Sequence, residues 1–367
     1  MAHHGEERDM SKRVMIAGGG ASRHVQPALA VLDELRRRDA DVRCSYVAEL
    51  EGTPMAEIRA MDDLSCPLPP STPEERSSLR GARLPGADEE ALAALPAVQE
   101  AVAAVETQRP DLVIATGGAD ALPVIWAAHR SGVPVAFLGM DQGKTGPAGR
   151  LGPPMGRVYG PGAARVERGG AGAALSGIPV RRHLLELGRV AGFDPQAAEM
   201  RAQKLVVLGG PEAPGGFDLL VAGALAAREP AGCLPPVLHY CDPGVLVEVE
   251  ASYREAGVVA RVELASGRRP RELARARLVI TAPDPVVWSE LSAIGRPALL
   301  VGGELPADLG LAVDAGAAVA SSADPALLGA ALDRVLGESG RVATMARAVR
   351  RLFRPDAAAL IVDDLER

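Results

Sequence analysis

Apolar runs of strand length recur along the chain, each followed by a stretch with helical periodicity. Val14-Met15-Ile16-Ala17, Leu112-Val113-Ile114-Ala115, Val133–Leu138 and Lys204–Leu208 are such runs, and Val237–Tyr240, Val258–Leu264, Leu278–Thr281 and Ala298–Val301 continue the series. Runs of this kind fit strands covered on both faces, as in a parallel sheet. A helix is predicted from Pro27 to about Arg38, with Ala28, Val31, Leu32 and Leu35 on one face. Others are predicted from about Ala121 to Ser131 and from about Gly216 to Arg228, and a basic one from Arg341 to Phe353 carries Val342, Met345, Val349 and Leu352 on one side. Alternating β and α segments imply doubly wound α/β domains. The pattern restarts at Lys204, after a Gly/Pro-rich passage from Gly139 to Gly177 where compact structure is hard to place. The expected organisation is an N-terminal domain over 1–165, a linker near Gly160–Pro179, a second domain over 178–340, and a C-terminal helical segment, 341–367, packing back on the body. Ligands of such sheets bind at the carboxyl ends of the strands, so the glycine turns of both domains are expected to face one cleft.

Composition narrows the class. A 367-residue chain with 47% hydrophobic and 24% charged residues reads as a globular protein of two domains. Only 3% is aromatic, so Ala, Val and Leu must build the core. A net charge of -7 argues against nucleic acid as a partner. Cys44, Cys66, Cys233 and Cys241 form no C-x-x-C pair, which fits reduced thiols and gives no zinc signature. No apolar run reaches the length of a membrane span and Met1–Arg13 is polar, so a cytoplasmic location is expected, with peripheral membrane contact left open.

Candidate chemistry concentrates in Gly18-Gly19-Gly20-Ala21-Ser22-Arg23-His24. A strand running through glycines into a helix start offers unpaired N–H groups and the positive end of a dipole to an anion. His24 adds a side chain that moves protons near neutral pH. The plainer reading is a glycine turn with His24 on the surface. Arg23 stands where the dinucleotide spacing G-x-G-x-x-G requires its last glycine. Asp39-Ala40-Asp41 has the form D-x-D, but its position in a helix-to-strand turn suits ordinary turn chemistry. His239-Tyr240-Cys241-Asp242 contains possible metal ligands, but neighbours on a strand alternate between faces and a structural role is expected. Arg76, Leu79, Arg80, Arg83 and Leu84 form a small basic-apolar cluster, and Asp88-Glu89-Glu90 follow it.

The segment Gly18–Val31 resembles the first loop and helix of the MurG glycosyltransferases, which read G-G-T-G-G-H-x-x-P-(A/G)-L-A-(V/I). Pro110-Asp111-Leu112-Val113-Ile114 with Gly117-Gly118, Ser131-Gly132-Val133-Pro134-Val135, Gly177-Ile178-Pro179-Val180-Arg181 and Ser289–Ala298 resemble further motifs of that family, in the same order. The resemblance implies a GT-B fold, two doubly wound Rossmann-like domains facing a cleft. It implies inverting transfer of N-acetylglucosamine from a UDP-sugar donor to a lipid-linked muramyl-pentapeptide acceptor at the cytoplasmic membrane face, without cofactor or metal. Carried over, His24 is the candidate base or an acceptor-site residue. Gly18, Gly19, Gly20, Ser22, Gly117 and Gly118 lie near the acceptor diphosphate. Asp141, Arg181, Gly209, Gly210, Leu264 and Glu290 belong to the donor side, with Glu290 on the ribose.

The chain departs from the pattern on that donor side. The family's G-G-S-Q-G-A is Gly209-Gly210-Pro211-Glu212-Ala213-Pro214, its R-S-G-A is Ala282-Pro283-Asp284-Pro285, and Gly302–Asp314 holds no glutamine. Two other readings follow: a non-catalytic homologue acting as a binding or scaffold protein, and a GT-B transferase that uses a different nucleotide sugar.

Overall fold

The computed structural model describes residues 12–18, 22–49, 64–68, 72, 89–117, 121–139, 157–160, 173–175, 177–190, 204–210, 213–228, 234–264 and 269–367. The chain divides into two compact units, Met1–Pro179 with Asp356–Arg367, and Val180–Pro355.

The first unit is built on strands β1 (Arg13–Ala17), β2 (Arg43–Glu49), β3 (Leu64–Leu68), β4 (Leu112–Thr116), β5 (Val135–Leu138), β6 (Arg157–Gly160) and β7 (Ala173–Leu175). They form one sheet in the order β3-β2-β1-β4-β5-β6-β7, and every pairing is parallel. Its helices are α1 (Ser22–Arg38), α2 (Glu89–Ala93), α3 (Pro96–Gln108) and α4 (Leu122–Arg130). Val14–Ala17 and Leu112–Thr116 are buried throughout, as central parallel strands require. The Gly/Pro-rich passage contributes β6 and β7 at the far edge, where short segments with weak apolar pattern suffice.

The second unit repeats the design with β8 (Lys204–Leu208), β9 (Val237–Tyr240), β10 (Ala260–Glu263), β11 (Ala276–Thr281), β12 (Ala298–Val301) and β13 (Ala318–Ser321). The order is β10-β9-β8-β11-β12-β13, again all parallel. Its helices are α5 (Arg182–Val190), α6 (Phe217–Ala226), α7 (Leu246–Glu255), α8 (Arg269–Ala274), α9 (Pro285–Ile294), α10 (Ala307–Asp314), α11 (Pro325–Gly337) and α12 (Arg341–Leu352). Two apolar layers cover the sheet, one with Val207, Val221, Leu225, Ile280 and Leu332, the other with Val206, Val279, Leu291, Ile294 and Leu300. The predicted basic helix is α12; Val342, Met345 and Val349 are buried, while Leu352 is 40% exposed.

The last helix, α13 (Ala357–Leu365), belongs to the first unit. Ala357, Ile361 and Val362 are buried, and Arg38 of α1 pairs with Asp363 at 2.7 Å and Glu366 at 2.9 Å. Tyr159 Oη donates to Asp364 at 2.8 Å. Half-exposed pairs of this kind contribute about 0–1 kcal/mol each, so the apolar face of α13 does most of the anchoring.

Candidate functional site

In the first unit the strand order reverses between β1 and β4, the place where doubly wound sheets bind ligands at the carboxyl ends. Both strands run straight into glycine, β1 into Gly18 and β4 into Gly117. Gly18 has φ 145°, and a Cβ there would stand 1.9 Å from Thr116 Oγ1. Its N–H donates to Val47 O at 3.3 Å, and the Tyr46 hydroxyl donates to its carbonyl. Only glycine fits a backbone wedged this tightly between two neighbouring strands.

The helix that follows begins at Ser22, ahead of the expected Pro27, which lies inside α1. As the sixth residue of the helix, Pro27 forgoes the one bond its N–H would make to the Arg23 carbonyl. His24 therefore belongs to the first turn of α1 and is 5% exposed, which corrects the plainer reading that leaves it on the surface. That turn carries no acidic residue of its own. Gly18, Gly117 and His24 are thus gathered at one end of the sheet. Gly19, Gly20, Gly118 and the side chain of Ser22 lie outside the described residues.

The corresponding place in the second unit is between β8 and β11. Gly209 follows β8 and packs on Asp218, in the first turn of α6: a Cβ would meet Asp218 Oδ1 at 1.5 Å and Tyr240 O at 2.9 Å. Gly210 has φ 100° and donates its N–H to Asp218 Oδ2 at 3.2 Å. Asp242 N donates to the same oxygen at 3.1 Å. His239 Nε2 meets Asp218 Oδ1 at 3.0 Å, and its Nδ1 meets Tyr253 Oη at 2.9 Å. Burial pushes the Asp218 carboxyl up, but bonds from His239 and the amides of Asp242 and Gly210 outweigh it and hold the group below the usual carboxylate range. A carboxylate of the protein itself takes the turn amide that an anion would seek.

The neighbouring helix start is closed the same way. Asp284 caps α9, accepting from Val286 N at 2.8 Å and Val287 N at 3.1 Å. Glu290, on α9, lies 4.0 Å from Arg269 Nη2. Arg181 precedes α5, which packs so closely on α9 that a Cβ at Gly188 would stand 2.0 Å from Ala293 O. Leu264 follows β10 and is 49% exposed. Asp141, Pro211 and Glu212 lie outside the described residues, as does the Arg76–Leu84 cluster.

Two sequence features resolve into local structure. Asp41 N donates to Asp39 Oδ1 at 3.0 Å, so D-x-D is a turn. Asp111 of the P-D motif accepts from Arg13 N at 2.7 Å, at the amino end of β1 and away from the ligand end. From the sequence, His239 and Cys241 are possible ligands set aside on strand alternation, and Asp218 is not among them. His239 and Cys241, two residues apart, share a side of the chain, and Asp218, His239 and Cys241 bring their ligand atoms within 4.8 Å of one another.

Residues 14–138 match the model of the glycosyltransferase family 28 N-terminal domain. The UDP-N-acetylglucosamine–N-acetylmuramyl-(pentapeptide) pyrophosphoryl-undecaprenol N-acetylglucosamine transferase of Mycolicibacterium paratuberculosis is 32% identical, over 94% of this chain and 86% of that protein. The protein of the same name from Halorhodospira halophila is also 32% identical, over 94% of this chain and 95% of its own length. Among solved structures, Acinetobacter baumannii MurG superposes with a TM-score of 0.64 at 19% identity, covering 97% of this chain and 99% of that one. The calicheamicin glycosyltransferase CalG4 gives a TM-score of 0.59 at 16% identity, with 97% of each chain covered. The architecture is the GT-B fold of two Rossmann-like domains, and the chain belongs to the MurG family of glycosyltransferases.

Proposed function

We propose that this chain transfers N-acetylglucosamine from UDP-N-acetylglucosamine to a lipid-linked N-acetylmuramyl-pentapeptide, a step of peptidoglycan synthesis. The observation that carries the reading is 32% identity across 94% of the chain to a transferase of that name. In this reading the first unit holds the acceptor, with its diphosphate against the glycine turns at Gly18–Gly20 and Gly117–Gly118, Ser22 and the start of α1. His24 takes the proton from the attacking hydroxyl while the bond from the sugar to UDP breaks, with inversion, and the electron pair leaves on the diphosphate. Arg181, Gly209 and Gly210 lie by that leaving group, and Asp141, Leu264 and Glu290 complete the donor contacts. No helix among the described residues is long and apolar enough to cross a membrane, so the protein would meet its lipid acceptor peripherally, from the cytoplasmic side.

A second reading rests on the carboxylates of Asp218 and Asp284, which take the amides of Gly210, Val286 and Val287 in the second unit. It is a homologue that has lost the donor or changed it. Full-length protein incubated with lipid acceptor and UDP-N-acetylglucosamine is expected to release UDP, and His24→Ala to lower the rate by ~10²–10⁴-fold, as for a lost general base. Folded protein that releases no UDP overturns the first reading. A thermal-shift panel of nucleotide sugars then separates a changed donor from a lost one.

A further inference from the structure

The side chains behind the second unit's glycine turn form a site of a different kind. We propose that Asp218, His239 and Cys241 bind a divalent cation of the zinc class, with Tyr253 orienting the imidazole. The donors are one carboxylate oxygen, one imidazole nitrogen and one thiol sulphur, all within 4.8 Å of one another. Tetrahedral zinc with bonds of about 2.0–2.3 Å separates its ligand atoms by roughly 3.3–3.8 Å, so small side-chain shifts bring the three donors onto one ion, with a water as the fourth ligand. All three residues are deeply buried, at 5%, 0% and 2% exposure. They come from two elements that the fold already fixes: the first turn of α6, and β9 with the residue just beyond it.

The hydrogen bonds leave the right atoms for an ion. Asp218 Oδ2 keeps the amides of Gly210 and Asp242, so Oδ1 is the oxygen available. An ionised Asp218 only accepts, so the free protein has Nε2–H of His239 donating to Oδ1 and the Tyr253 hydroxyl donating to Nδ1. On binding, the imidazole proton resides on Nδ1 and is donated to Tyr253 Oη, which turns the Nε2 lone pair to the ion. The Cys241 thiol gives its proton to solvent and coordinates as thiolate. Ligating histidines are regularly fixed by such a bond from the far ring nitrogen. The donor set of O, N and S suits a borderline-soft cation over calcium or magnesium, which take oxygen. A cation here also offsets the charge of Asp218 beneath the glycine turn. The proposal stands apart from the transfer reaction, and its test needs no turnover.

Cobalt(II) is the probe, titrated into the metal-free, full-length chain. The expected result is one ion per chain, a thiolate-to-cobalt band in the near ultraviolet and the visible bands of four-coordinate cobalt, all displaced by zinc. Cys241→Ser should remove the near-ultraviolet band while circular dichroism stays native, and Cys44→Ser, in the first unit, should leave it. Tyr253→Phe should weaken binding by ~10–100-fold. No band at an equimolar ratio overturns the proposal, and so does a band that survives Cys241→Ser.

Discussion

The two glycine turns of this chain occupy the same topological address and differ in what surrounds them. Gly18 is flanked by neutral hydroxyls, Tyr46 on its carbonyl and Thr116 against its Cα, and no acid stands in the first turn of α1. Gly209 and Gly210 sit on the Asp218 carboxylate, and the next helix start is capped by Asp284. Both turns are too tight for a Cβ, and of Gly18 and Gly209 only Gly18 also has a positive φ, so steric fit separates them by backbone strain alone. Charge separates them further: a carboxylate, Asp218, takes the amide of Gly210 in the second unit, while the amide of Gly18 goes to a neutral backbone oxygen, Val47 O. The shared fold gives both turns the same address, and an acid in the first helical turn is present in the second unit and absent from α1.

The largest effect expected is at Gly18 itself. Gly18→Ala brings an overlap worth about 1–3 kcal/mol and backbone strain of about 1–3 kcal/mol, read as a lowered denaturation midpoint. Adding Thr116→Ala should recover the overlap part only. Gly209→Ala meets the Asp218 carboxylate and a backbone oxygen without a φ penalty, so about 1–3 kcal/mol is expected there. Equal losses at the two glycines, with no recovery by Thr116→Ala, would break the steric half of the comparison. Asp284→Ala should cost about 1 kcal/mol through the lost cap.

The smallest effect lies at the opposite end of β8, where Lys204 pairs with Glu272. The hydrogen bond from Lys204 holds the Glu272 carboxyl below the usual range, against its burial. A lowered folded pKa stabilises the protein above the unfolded value of about 4.3. That contribution is lost as pH falls through the lowered value. Glu272→Gln should therefore cost about 1 kcal/mol near neutrality, for a single partly buried pair, and flatten the acid side of the stability profile.

What could be read from the chain follows a physical division. The central strands were legible because burial on both faces leaves uninterrupted apolar runs, as in Leu112–Ala115 and Leu205–Leu208. The end of the helix expected to run to about Ser131 was equally plain, and Gly132 closes it through an amide bond to His129 O. The mixed pattern of Arg43–Glu49 hid β2, and β6, β7 and β13 are short strands outside the best apolar runs. The start of α1 was missed because Pro27 looks like a first helical residue, yet it sits a turn further in. Least legible was the cluster at the second turn. Asp218 and His239 are 21 residues apart and meet only because β8 and β9 are neighbours. Strand alternation separates Tyr240 from His239 but puts His239 and Cys241 on one side.

The central claim is that the Asp218 charge governs what the second unit's turn accepts. Asn at 218 keeps the geometry: its carbonyl accepts from Gly210 and Asp242, and its amide donates to His239 Nε2 once the imidazole proton moves to Nδ1. Calorimetric titration of UDP into wild type and Asp218→Asn, both in chelator so that no cation masks the charge, measures this directly. The account predicts about tenfold tighter binding by the asparagine variant, the equivalent of ~1.4 kcal/mol. Equal or weaker binding by a natively folded Asp218→Asn would contradict it.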